Sequence, residues 1–169
     1  MTQMLKDILG RVDKQELDEK ILTLKASLKT RHYLEVARNT SANNISQFAA
    51  GEDGGINRFK KGTPAHIKAA IVYNRLLTHF NIQTRYEPIA DGAKIKYVYL
   101  KDNPLHIDAL AIKGYQDPPQ IVEMITEYID TDALFENELR NKLDDFYTAL
   151  NWGNIPTEIN QNANDFFSF

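Results

Sequence analysis

The sequence predicts an α+β domain, rich in helix, with a small antiparallel sheet. Three observations carry that expectation. Apolar residues recur at helical spacing in several stretches, as in Leu17, Ile21, Leu24 and Leu28. One stretch, Lys94-Ile-Lys-Tyr-Val-Tyr-Leu100, alternates and is β-branched or aromatic, and Leu110-Ala-Ile-Lys113 stands ready to pair with it. The composition, 43% hydrophobic and 25% charged over 169 residues, suits one globular domain with its own core. The absence of cysteine excludes a disulfide scaffold, a cysteine zinc site, an iron–sulfur cluster and a thiol nucleophile. No apolar run approaches the ~18 residues of a membrane span. The N-terminus lacks the basic and apolar regions of a signal peptide, so a cytoplasmic location is expected.

The first 31 residues read as helix. Leu5, Ile8, Leu9 and Val12 form a short stripe, and Asp13 is placed to cap the longer stripe that follows. Asn39-Thr-Ser-Ala-Asn-Asn-Ile-Ser46 is a hydroxyl and amide cluster that favours caps and turns. Gly51-Glu-Asp-Gly-Gly55 is a loop without the lysine of a phosphate-binding P-loop. Thr63 and Pro64 look like the N-cap and first residue of a helix running to about Phe80. Its inward positions are Ile67, Ala70, Ile71, Leu76 and Leu77. Lys68 and Arg75, seven apart, share its outer face, with His79 a turn beyond.

Asp102-Asn-Pro104 is a turn and 114–119 a loop. Residues 121–129 form an amphipathic helix. Residues 132–150 read as one longer helix, with Leu134, Phe135, Leu139, Leu143, Phe146 and Tyr147 inward. Residues 1–150 are thus expected to form the domain. Residues 151–169, with no Lys or Arg, are expected to form a flexible tail ending Asp165-Phe-Phe-Ser-Phe169.

The net charge of −3 conceals an asymmetry. Residues 56–101 hold 9 basic and 2 acidic residues, whereas residues 102–169 hold 3 basic and 13 acidic. A Debye length of about 8–10 Å in physiological salt screens a distant acidic segment, so the basic middle points to a polyanion partner. Arg58, Lys60, Lys61, Lys68, Arg75, Arg85, Lys94, Lys96 and Lys101 would each release counterions on a phosphate backbone. Tyr73 and Asn74 add hydrogen-bonding groups beside Arg75.

Other chemistry is poorly supported. His32, His66, His79 and His106 show no zinc-ligand spacing, and no nucleophile elbow or dinucleotide fingerprint occurs. Asp130-Thr-Asp132 resembles a carboxylate turn that holds divalent metals for phosphoryl transfer. It lies between two helical patterns, however, where Thr131 and Asp132 suit a helix N-terminus.

The motifs have an order. Ser41-Ala-Asn-Asn-Ile45 is followed by a glycine-rich loop, Phe59-Lys60, His66-Ile-Lys68 and Tyr73-Asn-Arg75. A strand then leads into Leu100-Lys-Asp-Asn-Pro-Leu105, followed by Tyr128-Ile-Asp130, Leu134-Phe135 and a phenylalanine-rich C-terminus. From about Tyr33 onward this order resembles the C-terminal thumb of the family B replicative DNA polymerases of T-even-type bacteriophages.

The resemblance implies a grip on the sugar–phosphate backbone of primer–template duplex, with Ser41, Asn43, Lys60, Lys61, His66, Lys68, Tyr73, Asn74 and Arg75 as contacts. It also implies that Asp165, Phe166, Phe167 and Phe169 dock on a sliding clamp. Ala163 and Asn164 stand where the family usually has a leucine, and Asn137 and Asn141 where it usually has lysines. No catalytic residue, metal ligand or cofactor is expected on this chain. Mg²⁺ would sit in the palm of a partner chain that also carries exonuclease and fingers, in the cytoplasm of an infected bacterial host. The Met1 start and the tail suit the smaller chain of a split polymerase. A stand-alone adaptor that binds DNA and clamp is the alternative.

Overall fold

The computed structural model describes residues 13–49, 55–114 and 116–156. The fold is α+β: the described residues form seven helices and one three-stranded antiparallel sheet. Their contacts define two compact units, residues 32–130 and residues 13–31 with 131–156.

In the first unit, α2 (Tyr33–Val36) leads into β1 (Arg38–Ser41), then α3 (Ile45–Ala49) and α4 (Ala65–His79). The strands β2 (Lys94–Tyr99) and β3 (Ala109–Ile112) follow, and α5 (Pro119–Tyr128) closes the unit. The sheet order is β1-β2-β3, so β2 is central. Arg38 lies opposite Tyr97 and Ser41 opposite Lys94; Lys96 faces Ile112 and Tyr99 faces Ala109. β1 corrects the expectation of turns at Asn39-Thr-Ser. Pairing to β2 satisfies the backbone that these side chains would otherwise compete for.

The core is built on α4, whose Ile67, Ala69, Ala70, Ile71, Val72, Tyr73, Leu76 and Leu77 are all buried. It packs chiefly on β3. Ala69 and Ala70 on the helix, with Ala109 and Ala111 on the strand, are fully or almost fully buried, and such small side chains permit close backbone approach. The helix starts one residue later than expected. Pro64 is its N-cap, with no side-chain cap, and the Thr63 hydroxyl turns back to donate to the Lys60 carbonyl at 2.6 Å. It stops in a Schellman motif: Asn81 has φ +57°, its amide donates to Thr78, and the Ile82 amide donates to Leu77.

The second unit contains α1 (Lys14–Leu28), α6 (Thr131–Glu138) and α7 (Arg140–Ala149). Asp13 caps α1 as expected, accepting from the Gln15 amide at 3.2 Å. Residues 1–12 lie outside the described residues. Ile21, Leu22 and Leu28 are buried while Leu24 is exposed, so the buried arc of α1 is rotated from the expected stripe. The rotation brings Lys25 over the Phe135 ring at 4.9 Å and lets Asp18 accept a hydrogen bond from the Tyr147 hydroxyl.

The long helix expected over 132–150 is divided at Leu139. Asn137 donates to the Ala133 carbonyl at 2.7 Å, local competition of the kind that ends helices. Of its expected inward residues, Leu134, Phe135 and Tyr147 are buried, Leu139 and Leu143 half-buried, and Phe146 exposed. α7 ends in a second Schellman motif, with Asn151 at φ +58° and the Trp152 amide on the Tyr147 carbonyl. Trp152 meets the Tyr147 ring edge-on at 5.4 Å, and Ile155 is buried. The expected tail therefore packs through its first residues, 151–156.

Candidate nucleic-acid interface

Two basic residues of α4, one in its first turn and one in its later turns, flank one aromatic ring. Phe59 lies 5.5 Å from the Lys68 ammonium and 5.2 Å from the Arg75 guanidinium carbon. The seven-residue spacing of Lys68 and Arg75 placed both on one helix face; Phe59 is the group that the spacing alone did not reveal. Contacts of this kind contribute about 0.5–1 kcal/mol each at exposed sites. Arg75 also donates to the carbonyls of Gly55, Ile56 and Arg58, at 3.1 Å and 3.3 Å for the first two. All three carbonyls accept from one nitrogen, Nη1, and share its two hydrogens. Arg75 thus ties residues 55–59 to the helix.

Lys60 and Lys61 are exposed on the turn that follows, and the Lys60 ammonium donates to the Gln47 carbonyl at 3.0 Å. Gly62, at φ +87°, makes the bend into Thr63 with open space beside its Cα. His66 is half-buried, its ring 6.4 Å from that of Tyr97. Lys60 and Lys61 therefore precede, and His66 and Lys68 lie within, the first turn of a fifteen-residue helix that no side chain caps. The free amides and dipole of such a turn favour an anion.

Two expected contacts occupy structural positions. Tyr73 is buried in the core, and burial pushes its hydroxyl well above the ordinary tyrosine value, with Asp117 and Tyr86 adding to the shift. A buried phenol does not reach a phosphate. Asn74 pairs with one backbone residue in both directions: its amide donates to the Ile89 carbonyl at 3.0 Å, and its oxygen accepts from the Ile89 amide at 2.6 Å. This bidentate pair pins the segment between α4 and β2.

Ser41 and Asn43 lie farther along. Ser41 is half-buried at the end of β1, and Asn43 is exposed beside Gly92. The Ala42 amide and carbonyl pair with Ala93 and Gly92, which extends the strand ladder. Asp91 completes this corner by accepting from the amide and hydroxyl of Ser46, at 3.2 and 2.6 Å, at the start of α3. Those bonds, the hydroxyl first, hold its carboxyl below the usual range. Beside β1 and β2 lies an open depression of about 500 Å³, bordered by Asn39, Ser41, Lys94, Lys96 and Lys113. Lys113 had no expected role.

Asp130 and Asp132 have separate surroundings. Asp130 borders a depression with Asn103, His106 and Asp108, and its amide donates to the Tyr99 carbonyl at 2.8 Å. Asp132 lies in the first turn of α6, 3.8 Å from the Lys29 ammonium. Among the described residues, no group of three or more acidic or histidine side chains is placed to hold a metal ion. Nor is any helix among them long and apolar enough to cross a membrane. Asp165, Phe166, Phe167 and Phe169 lie outside the described residues.

No protein-family model matches the chain, and no curated protein matches it.

Proposed function

We propose that this chain is the thumb portion of a family B DNA-directed DNA polymerase, gripping primer–template duplex by its sugar–phosphate backbone and tethered to a sliding clamp by its C-terminal peptide. The observation that carries the grip is the start of α4, where Lys60, Lys61, His66 and Lys68 precede or occupy the first turn of a helix that no side chain caps. Cations and backbone amides read charge rather than bases, so such a grip is indifferent to sequence. Nucleotidyl transfer would belong to a partner chain with palm, fingers and exonuclease, whose Mg²⁺ supplies the two-metal chemistry. The setting would be the cytoplasm of an infected bacterium.

The test is a salt titration of duplex binding by the full chain and by K60Q/K61Q. The variant should bind unrelated duplexes equally weakly and flatten the salt slope by about 1.8, or 0.9 per lost phosphate contact. An unchanged slope would overturn the grip. Added to a separately expressed palm-containing chain, the protein should restore nucleotide incorporation, with clamp-dependent product length lost on deletion of 164–169. DNA binding without restored incorporation would favour the stand-alone adaptor.

A further inference from the structure

We infer a second phosphate-backbone site on this chain, at the β1–β2 corner of the sheet, formed by Lys94 and Lys96 with Asn39 and Ser41. The register sets the arrangement. Lys94 lies opposite Ser41, and Lys96 lies opposite Asn39. Directly paired residues share a face, so two cations and two small polar groups stand together as a two-by-two block. The rest of that face is apolar: Val98, Leu110 and Ile112 are buried. The block borders the open depression of about 500 Å³, whose lining also includes Lys113 and no carboxylate.

Structural need does not account for these lysines. Lysine is disfavoured in strands, and its usual service there is to blunt an exposed sheet edge. β2 is the central strand, paired on both sides, so it has no edge to protect. Lys94 is exposed, and Lys96 is half-buried with its ammonium 3.5 Å from the Leu34 carbonyl. Lys113 is held more firmly, donating to the Glu87 carbonyl at 2.6 Å while lying 5.8 Å from the centre of the Tyr73 ring. These carbonyls orient the ammonium groups without neutralising them.

The spacing suits a phosphate chain. Two residues of a strand advance about 6.8 Å. A DNA strand rises about 3.4 Å of axis per phosphate but winds as it rises, which sets neighbouring phosphates about 7 Å apart along the strand, so Lys94 and Lys96 match successive phosphates of a strand lying along β2. Ser41 and Asn39 supply hydrogen bonds to phosphate or sugar oxygens. The cost of holding Lys94 and Lys96 side by side is recovered when a polyanion covers them.

This inference shares with the proposed function the assumption of a nucleic-acid partner, and the experiment separates the two. The full chain, K94Q/K96Q and K60Q/K61Q are titrated with salt against duplexes of unrelated sequence. K94Q/K96Q should lower the slope by about 1.8 and weaken binding roughly 10- to 60-fold at about 0.1 M salt, alike for every duplex. If it leaves slope and affinity unchanged while K60Q/K61Q lowers them, the sheet-corner site is overturned and the α4 grip stands. If only K94Q/K96Q acts, the sheet corner stands and the α4 grip falls. A wild-type chain that binds no duplex overturns both. Loss of binding to polyglutamate, with duplex binding intact, would overturn the site in favour of an acidic protein partner. Should K94Q/K96Q fail to fold, acetylation of the wild-type lysines decides the matter: Lys94 and Lys96 should be protected by duplex, and equal modification with and without DNA overturns the site.

Discussion

The two halves of α4 carry similar side chains and put them to different uses. In the first turns, His66 and Lys68 follow exposed Lys60 and Lys61, where no side chain caps the helix amides. In the later turns, Tyr73, Asn74 and Arg75 are drawn into the unit: Tyr73 into the core, Asn74 onto Ile89, and Arg75 onto the carbonyls of residues 55, 56 and 58. Residue type does not distinguish the halves. What differs is the surrounding chain. The later turns lie beneath two irregular segments whose backbone groups need partners, and an unpaired buried polar group costs about 1–3 kcal/mol.

The contrast is broken most directly at Asn74. Asn74→Ala removes both partners of the buried Ile89 backbone and should cost about 2–4 kcal/mol. The measurement is the urea midpoint at constant m-value. A near-neutral midpoint with weakened duplex binding would return Asn74 to the interface.

Arg75 sharpens the same point with a charge-preserving change. Arg75→Lys keeps the cation but loses the longer reach that sets Nη1 among three carbonyls, and should cost about 1–2 kcal/mol, nearly as much as Arg75→Ala. Thermal melting compares the two, and the duplex salt slope should hold in Arg75→Lys. Full stability in that variant would mean that charge alone matters here.

A smaller effect is expected in the helical unit. Tyr147→Phe removes the hydroxyl that donates to Asp18 and should cost about 1 kcal/mol. Burial first, then Asp18, raises the Tyr147 hydroxyl above its ordinary value of 10.0. Its contribution is therefore complete below about pH 10 and is lost as pH rises through the raised value. Alkaline melting curves of wild type should show a loss that Tyr147→Phe lacks; superimposable curves would remove Tyr147 as its source.

The smallest effect is at Asp91. Its carboxyl is held below the ordinary value of 3.8 by the Ser46 hydroxyl first and then by backbone amides. That contribution is present above pH 3.8 and fades as pH falls through the lowered value. Asp91→Asn should retain capping while losing this part of the acid sensitivity. Identical acid-side melting profiles for the two proteins would contradict it.

Periodic features were legible in the sequence. α4 lies within a residue of its expected bounds, and β2, β3 and α5 fall where alternation and amphipathicity put them. β1 was not, because four polar residues become a strand only through a ladder to a segment more than 50 positions away. The division at Leu139 was hidden for a different reason. Neither glycine nor proline marks it, and the competing bond comes from Asn137. At the candidate interface, charge and exposure were readable for Lys60 and Lys61. The uses of Tyr73, Asn74 and Arg75 were not, because no local pattern says which backbone carbonyl folding will bring near.

The late arrival of β1's partner also bears on how fast the unit assembles. Joining β2 to β3 closes a connection of residues 100–108, whereas joining β1 to β2 closes residues 42–93. On loop length alone, the second closure costs about 1.5 kcal/mol more entropy. The order of events that follows is α4 with β2 and β3 first, and β1 last. A destabilising change in β1, such as Thr40→Gly, should then leave the refolding rate almost untouched and speed unfolding, whereas Leu110→Ala in β3 should slow refolding. β1 acts as a latch that sets the lifetime of the folded unit without setting its rate of formation.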